Sequence, residues 1–231
     1  KPMSQKKNFD PLVHYNELFE THGDNEKSVQ YADKVSQWSR FYMLTKLLPK
    51  NTSILDFGCG LGDLLLFMRK NDFKGQYLGL DIVPAFIKNN NQKFSSDTKS
   101  MFKTFTPEEE NLPSSYDFVV QSGVFNNKRD DIIEFTFQTL EAMYDSSRLG
   151  ISFNMLTKYV DYQDENLSYF DPSEIFDFCK KKLNGHPVIF HNYLVREKSY
   201  PHDFTITLFK KPTAMTNQFY IWSKLKKLFI F

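Results

Sequence analysis

The chain has 231 residues and a formal net charge of +1 at pH 7, with 29 Lys and Arg against 28 Asp and Glu. This length suits one α/β domain with a substantial core, and the even charge argues against a surface built to bind nucleic acid. The two cysteines, Cys59 and Cys179, indicate neither a disulfide framework nor a metal site.

The first 49 residues form a predicted helical leader. The run from Ser36 to Leu48 carries apolar residues at helical spacing, and Pro49 ends it. Strands and helices then alternate, which indicates a parallel sheet with helices on both faces. The predicted strands are 53–57, 76–80, 101–105, 117–121, 149–154, 187–193 and 203–210, and the predicted helices are 62–70, 84–95, 130–145 and 172–183.

The most informative stretch is the loop that follows the first predicted strand. An apolar run ends in Asp56, three glycines follow at alternate positions (Gly58, Gly60 and Gly62), and the second strand ends in Asp81. Glycine lets the backbone turn tightly and approach a ligand closely. An acid at the tip of the second strand can accept hydrogen bonds from both hydroxyls of a ribose.

The glycine spacing separates two kinds of nucleoside ligand. Dinucleotide-binding folds use G-x-G-x-x-G, with a pyrophosphate at the helix N-terminus. Here the glycines alternate, and Asp56 and Asp63 flank the loop. Two carboxylates would repel a pyrophosphate but suit a ligand that carries an ammonium group. The loop resembles motif I of the class I S-adenosylmethionine-dependent methyltransferases, and Asp81 matches their ribose-binding acid.

The resemblance covers roughly Ser53 to Lys211 and implies an α/β fold. The expected architecture is a doubly wound, mostly parallel seven-stranded sheet with an antiparallel last strand. Residues 1–49 would form the leader or cap, 50–211 the methyltransferase domain and 212–231 an amphipathic tail. The implied cofactor is S-adenosyl-L-methionine, which yields S-adenosyl-L-homocysteine, and no metal is expected.

A set of donor-binding residues follows from the same resemblance and, for Arg40, from side-chain chemistry. Arg40 is proposed for the donor carboxylate because a guanidinium fork suits that group; a solvated helix charge is the alternative. Glu108 stands where many family members place an acid near the adenine, although a solvated acidic loop also fits Pro-Glu-Glu-Glu. The full predicted set is Arg40, Asp56, Gly58, Cys59, Gly60, Gly62, Asp81, Ile82, Glu108, Gln121, Ser122 and Gly123.

Acceptor and base candidates come from the ends of later strands and from the leader. Asn154 and Tyr159 follow the fifth predicted strand and are expected to line the acceptor pocket. The candidates for a general base are His22, His191, and His202 with Asp203. A lone histidine is more often a structural or surface residue than a base. A structural or surface role therefore remains an alternative for each of these histidines.

The segments 121–126 and 153–162 resemble bacterial small-molecule methyltransferases. We therefore expect methylation of a small polar acceptor, most often on oxygen, such as a precursor of a surface glycan or secondary metabolite. The methylated part would be a sugar or a phosphorylated group attached to it. A non-catalytic S-adenosylmethionine-binding module, a Rossmann oxidoreductase and a protein methyltransferase remain alternatives. No nucleic-acid partner is expected, and the sequence leaves the oligomeric state open.

The tail 213–231 has apolar residues on one side of a potential helix and lysines on the other. It fits a helix docked on the domain or on a partner, or a weak anchor at a membrane surface. We see no secretory signal and no apolar run long enough to span a bilayer. The expected location is cytoplasmic, with peripheral contact at the inner face of the membrane as a second interpretation.

Overall fold

A single seven-stranded sheet forms the centre of the structure, a computed structural model that describes residues 9–107, 109–197 and 199–212. The strands are β1 (Ile54–Phe57), β2 (Tyr77–Asp81), β3 (Ser100–Thr104), β4 (Phe118–Gln121), β5 (Gly150–Leu156), β6 (His186–Phe190) and β7 (Asp203–Phe209). The helices are α1 (Pro11–His22), α2 (Lys34–Thr45), α3 (Asp63–Lys70), α4 (Pro84–Lys93), α5 (Ile132–Ser146) and α6 (Pro172–Lys181).

The strand order is β3-β2-β1-β4-β5-β7-β6. Strands β1 to β5 pair in parallel, and β7 runs antiparallel to both of its neighbours. This confirms the expected fold. The chain order reverses between β1 and β4, and open α/β sheets bind their ligands outside the carboxyl ends of the strands at such a point. Because Asp203 pairs with Leu156, β7 begins at that same edge.

The strands are apolar runs because helices cover both faces of the sheet. Every residue of β1, β2, β4 and β5 is buried, as expected for a parallel sheet between helical layers. One core cluster includes Leu140 and Met143 of α5. A second includes Leu64 and Leu65 of α3. The layers therefore hold the carboxyl ends of the central strands in fixed positions.

The leader lies on the edge of the sheet where the parallel strands end. Asp10 and Asp33 cap α1 and α2 by accepting backbone N–H groups. The rings of Tyr15 and Phe19 pack edge-on against Phe86 of α4. The side chains of α1 and α2 consequently form one wall of the space above the strands. The division into a leader and a catalytic domain stays a prediction.

The predicted element bounds differ from the structure by three residues or fewer. The largest differences are at α2, which ends at Thr45 rather than at Leu48, and at β6, which ends at Phe190 rather than at residue 193 because residues 191–202 form a loop. Glu108 and the tail 213–231 lie outside the described residues. None of the helices within 9–107, 109–197 and 199–212 is long and apolar enough to cross a membrane.

Candidate active site

A cavity of about 560 Å³ lies at the carboxyl ends of the central strands, within the ~300–1,000 Å³ typical of small-molecule sites. The glycine loop and the end of β2 form one side of it. The loops that follow β4 and β5 form another, and side chains of α1, α2 and the turn between them form a third. The cavity thus joins the donor-binding motif to segments that carry other polar groups.

The glycine loop brings its backbone close to this cavity. The N–H groups of Gly58 and Cys59 both donate to the carbonyl oxygen of Leu80, at 2.8 and 2.9 Å. Gly58 has a φ of 73°, which L side chains rarely adopt. A Cβ there would lie 2.4 Å from Cγ2 of Val124. The loop therefore keeps this shape only with glycine at that position.

Asp81 lies buried at the tip of β2, facing the glycine loop. Its Oδ2 accepts the N–H of Gly60 at 2.8 Å, and its Oδ1 accepts the N–H of Val83 at 3.0 Å. Burial raises the pKa of this carboxyl to about 6, although the backbone donors oppose the shift. A carboxylate offers about four lone-pair positions, so Asp81 retains acceptor capacity for the two hydroxyls of a ribose.

The two other acids of the motif are already engaged. Tyr77 donates its hydroxyl hydrogen to Oδ2 of Asp56, and burial raises the pKa of Asp56 to about 7. Asp63 accepts from Nζ of Lys34 at 2.8 Å and from Nε2 of Gln37 at 3.0 Å. Asp63 therefore ties the leader to α3, a role that its position beside the glycines did not predict.

Arg40 of α2 reaches the cavity and is held by Asp203. Its Nε and Nη2 donate to the two carboxylate oxygens, each at 2.9 Å, and its Nη1 donates to the carbonyl of Ser36 at 3.2 Å. These bonds use three of the five N–H donors of a guanidinium. The contacts with described residues leave two N–H donors of Arg40 unused. These donors suit a carboxylate in the cavity.

The end of β4 forms a hydrogen-bonded wall. Ser122 accepts from Nδ2 of Asn154 at 2.9 Å and shares a hydrogen bond of 2.9 Å with the hydroxyl of Tyr31. Asn154 also accepts the N–H of Gly123 at 3.2 Å. Asn154 is 2% exposed and lies behind the wall rather than in it. Asn154 therefore positions Ser122 and Gly123, whereas the sequence predicted that it would contact the acceptor.

The predicted donor residues are largely brought together. Gln121 lies behind the wall, where its Nε2 donates to the carbonyl of Asn154 at 3.1 Å, and Gly62 is the N-cap residue of α3. Neither lines the cavity. The predicted donor residues that do line it are Arg40, Asp56, Gly58, Cys59, Gly60, Asp81, Ile82, Ser122 and Gly123.

The remaining predicted catalytic residues do not meet at the cavity. His22 is exposed at the end of α1. Tyr159 is 58% exposed because the chain turns back after β5, where the N–H of Lys158 donates to the carbonyl of Phe170. The Nε2 of His202 lies 2.8 Å from Oγ of Ser199. Asp203 is occupied by Arg40, and the Nε2 of His191 is buried with no hydrogen-bond partner among the described residues.

Residues that the sequence did not predict line the cavity instead. Asn127 donates through Nδ2 to the hydroxyl of Tyr15 at 2.8 Å and to Oε1 of Gln30 at 2.9 Å. This network joins the leader to the loop after β4. The cavity lining also includes Arg129, Asp164 and Arg196. The scarcity of arginine in the sequence was the one signal that could have indicated two of them.

The described residues contain no group of three or more His, Cys, Asp or Glu side chains that could hold a metal ion. The cavity side chains instead fit a nucleoside with an attached amino acid. Asp81 suits its ribose, and Arg40 suits its carboxylate. The buried Oε1 of Gln37 lines the cavity without a hydrogen-bond partner among the described residues and could accept from an ammonium.

Comparisons with known proteins agree with this geometry. Residues 55–146 match the model of a family described as a methyltransferase domain. The chain is 32% identical over 150 residues to a protein named "Putative methyltransferase Rv1506c" of Mycobacterium tuberculosis (strain ATCC 25618 / H37Rv). The match covers 61% of this chain and 86% of the relative.

Solved structures resemble the fold. Magnesium protoporphyrin IX methyltransferase of Synechocystis PCC 6803, with bound S-adenosylmethionine, aligns with a TM-score of 0.60 at 14% identity, covering 90% of this chain and 100% of that one. A Rhodobacter sphaeroides structure described as "Putative Zn-dependent Alcohol Dehydrogenases" aligns with the same TM-score at 8% identity, covering 86% and 98%. Such distant likeness shows the fold alone, so the family rests on the sequence matches and the glycine motif. The chain belongs to the class I S-adenosylmethionine-dependent methyltransferases.

Proposed function

We propose that this methyltransferase methylates an oxygen of a small polar molecule, such as a precursor of a surface glycan or of a secondary metabolite. One observation carries the proposal. A single cavity joins the donor-binding residues to the amide, hydroxyl and charged side chains that follow β4 and β5. In the described part of the chain, α1 and α2 form one wall of this cavity, and a cavity of this volume favours a small acceptor over a peptide or a nucleic acid.

The donor side of the cavity would hold S-adenosylmethionine, which supplies an electrophilic methyl group on a sulfonium. Asp81 accepts the ribose hydroxyls, and Arg40 donates to the carboxylate. Ser122, fixed between Tyr31 and Asn154, forms the wall that follows β4. Fixed groups of this kind position the reacting atoms and exclude water, which is the main contribution that a protein makes to such a displacement.

We propose Asp164 as the group that takes the proton of an acceptor hydroxyl. It lines the cavity on the side of β5, and its Oδ1 accepts from N and Nδ2 of Asn166 at 2.8 and 3.1 Å. Its Oδ2 has no hydrogen-bond partner among the described residues. The loop of Asp164 is fixed to the loop after β4, because the N–H of Lys128 donates to the carbonyl of Asn166 at 2.9 Å. A positioned base typically contributes ~10²–10⁴-fold to the rate.

The test has a binding stage and a turnover stage. Calorimetry should show that S-adenosylmethionine and S-adenosylhomocysteine bind with micromolar dissociation constants, while NAD shows no saturable binding. The enzyme is then incubated with a polar metabolite extract and donor carrying an isotopic label in the methyl group. Mass spectrometry should find a labelled small-molecule product. Donor binding without a labelled product in any extract would favour the non-catalytic binding module.

A further inference from the structure

Arginine is concentrated at the cavity. The chain contains 24 lysines and only five arginines, yet three of the five, Arg40, Arg129 and Arg196, line this cavity. Arg40 lies on the donor side. We propose that Arg129 and Arg196 bind an anionic group of the methyl acceptor, either a phosphoryl or a carboxylate group. This inference rests on the proposed function and specifies the chemical class of its substrate.

Arg129 is held in one orientation before any ligand arrives. Its Nε and Nη2 donate to the two carboxylate oxygens of Asp131 at 2.6 and 2.8 Å. Its guanidinium carbon lies 4.0 Å from the ring centroid of Phe135, which also lines the cavity. Two of the five N–H donors are thereby used, so the fork can still present three to an anion. A guanidinium fixed by a carboxylate and a ring needs little further ordering to bind one.

Arg196 supplies a second positive charge at the same cavity. This residue lies in the loop between β6 and β7 and is exposed to solvent. No Asp or Glu oxygen of the described residues lies within 4.0 Å of its guanidinium, in contrast to Arg40 and Arg129. The backbone N–H of Ser36 and, to a lesser extent, the charge of Arg196 lower the pKa of Asp33, the N-cap of α2. No ion pair with a described residue occupies the Arg196 guanidinium, which is therefore suited to pair with an anion from the ligand.

The described acids that line the cavity form no ion pair with Arg129 or Arg196, and Asp131, which does pair with Arg129, lies outside the lining. Asp63 is paired with Lys34, and Asp56 and Asp81 are buried beside the glycine loop. Asp164 is the acid on the acceptor side, and it forms no ion pair with either arginine. Its free oxygen can face a hydroxyl, while the arginines face a negative group. The arrangement fits an acceptor that carries both a hydroxyl and an anion, such as a sugar phosphate or a hydroxy acid.

The test measures anion binding to the protein saturated with S-adenosylhomocysteine. Inorganic phosphate and acetate are titrated separately by calorimetry at constant ionic strength, with sodium chloride as the balancing salt. We expect saturable binding of one of these anions in the wild-type protein. Tighter binding of phosphate would indicate a phosphoryl acceptor, and tighter binding of acetate a carboxylate acceptor. The absence of saturable binding by both anions would overturn the proposal.

Variants locate the anion. Arg129→Gln and Arg196→Gln should each weaken anion binding ~10-fold or more, as loss of a charge-assisted contact implies. Arg129→Lys keeps the charge but loses the fork, so its effect should be smaller. The matched control is Arg148→Gln, because Arg148 pairs with Asp117 outside the cavity. Equal anion affinity in the wild type and both cavity variants would refute the proposal.

The two proposals fail in different ways. S-adenosylhomocysteine affinity should stay within ~3-fold of wild type in every variant, which also shows that the variants fold. If the enzyme methylates a neutral acceptor and neither glutamine variant changes the KM, the anion proposal fails and the proposed function stands. If S-adenosylhomocysteine does not bind the wild-type protein at all, the proposed function itself fails.

Discussion

Arg40 and Asp203 form a doubly hydrogen-bonded ion pair between residues 163 positions apart in the sequence, with both N···O distances at 2.9 Å. The pair joins α2 of the leader to the first residue of β7. The side chains are only 14% and 2% exposed. The antiparallel direction of β7 makes this contact possible, because it brings the start of that strand to the edge of the sheet where the cavity lies.

Asp203→Asn should therefore destabilise the fold. Removing one partner of a buried pair leaves the other charge uncompensated, which costs about 3–5 kcal/mol. Urea denaturation should show a free energy of unfolding lower by roughly this amount. The control is Asp177→Asn, since Asp177 pairs with Lys181 on the exposed side of α6 and such pairs contribute about 0–1 kcal/mol. Equal losses in the two variants would contradict the buried role.

Arg40→Ala should weaken binding of S-adenosylmethionine more than Lys46→Ala does. Arg40 lines the cavity, whereas Nζ of Lys46 lies 5.0 Å from the ring centroid of Phe190. We expect a loss of ~10-fold or more in the first variant and less than ~2-fold in the second, because a charge-assisted hydrogen bond is worth about 1.5–3 kcal/mol. Calorimetry at pH 7.5 measures both. Similar affinities would show that Arg40 serves the ion pair alone.

Donor binding should depend on pH through Asp81. Burial raises the pKa of this carboxyl to about 6, and only its ionised form offers acceptors to both ribose hydroxyls. Affinity for S-adenosylmethionine should therefore fall as the pH decreases through about 6. Because binding favours the ionised form, protons should be released near that pH. Titrations in buffers with different ionisation enthalpies measure the release.

Asp81→Asn should bind the donor ~10-fold or more weakly at pH 7.5, because the amide lacks the charge and one acceptor. The inflection near pH 6 should also disappear. Asp56→Asn is the control, since burial raises the pKa of Asp56 as well, to about 7, and this variant should retain the inflection near 6. If the inflection persists in the Asp81 variant, another group controls binding.

The sequence predicted the parts of the site that depend on local chain geometry. A strand, a glycine turn and a helix follow one another directly over residues 54–70, and Asp81 follows from the end of the next strand. Contacts made by the leader were not predictable. The Tyr15–Gln30–Asn127 network joins segments about a hundred positions apart. Tyr159 was placed from its distance to β5 alone, but the loop folds back and Lys158 pairs with Asp171 at 2.6 Å.

Asp164→Asn should lower turnover by ~10²-fold or more if Asp164 takes the hydroxyl proton. The amide keeps the shape of the side chain but cannot accept a proton. S-adenosylhomocysteine affinity should stay within ~3-fold, because Asp164 lies on the side of β5 and not beside the glycine loop. His202→Asn tests the competing candidate, whose Nε2 bonds Ser199 outside the cavity. A larger loss of turnover in that variant would return the role to His202.

Asn154→Ala and Tyr159→Phe should have different consequences, although Asn154 lies in β5 and Tyr159 only three residues after its end. Asn154 holds Ser122 and the N–H of Gly123, and both of those residues line the cavity. Its truncation leaves buried groups unpaired, which costs about 1–3 kcal/mol, and should weaken donor binding several-fold as well as lowering turnover.

Tyr159→Phe removes a hydroxyl from a side chain that is 58% exposed and should change neither donor affinity nor turnover by more than ~2-fold. Calorimetry with S-adenosylhomocysteine and initial rates at saturating donor separate the two effects. A loss of turnover in Tyr159→Phe with unchanged donor affinity would instead show that the loop after β5 closes over the acceptor and brings Tyr159 to it.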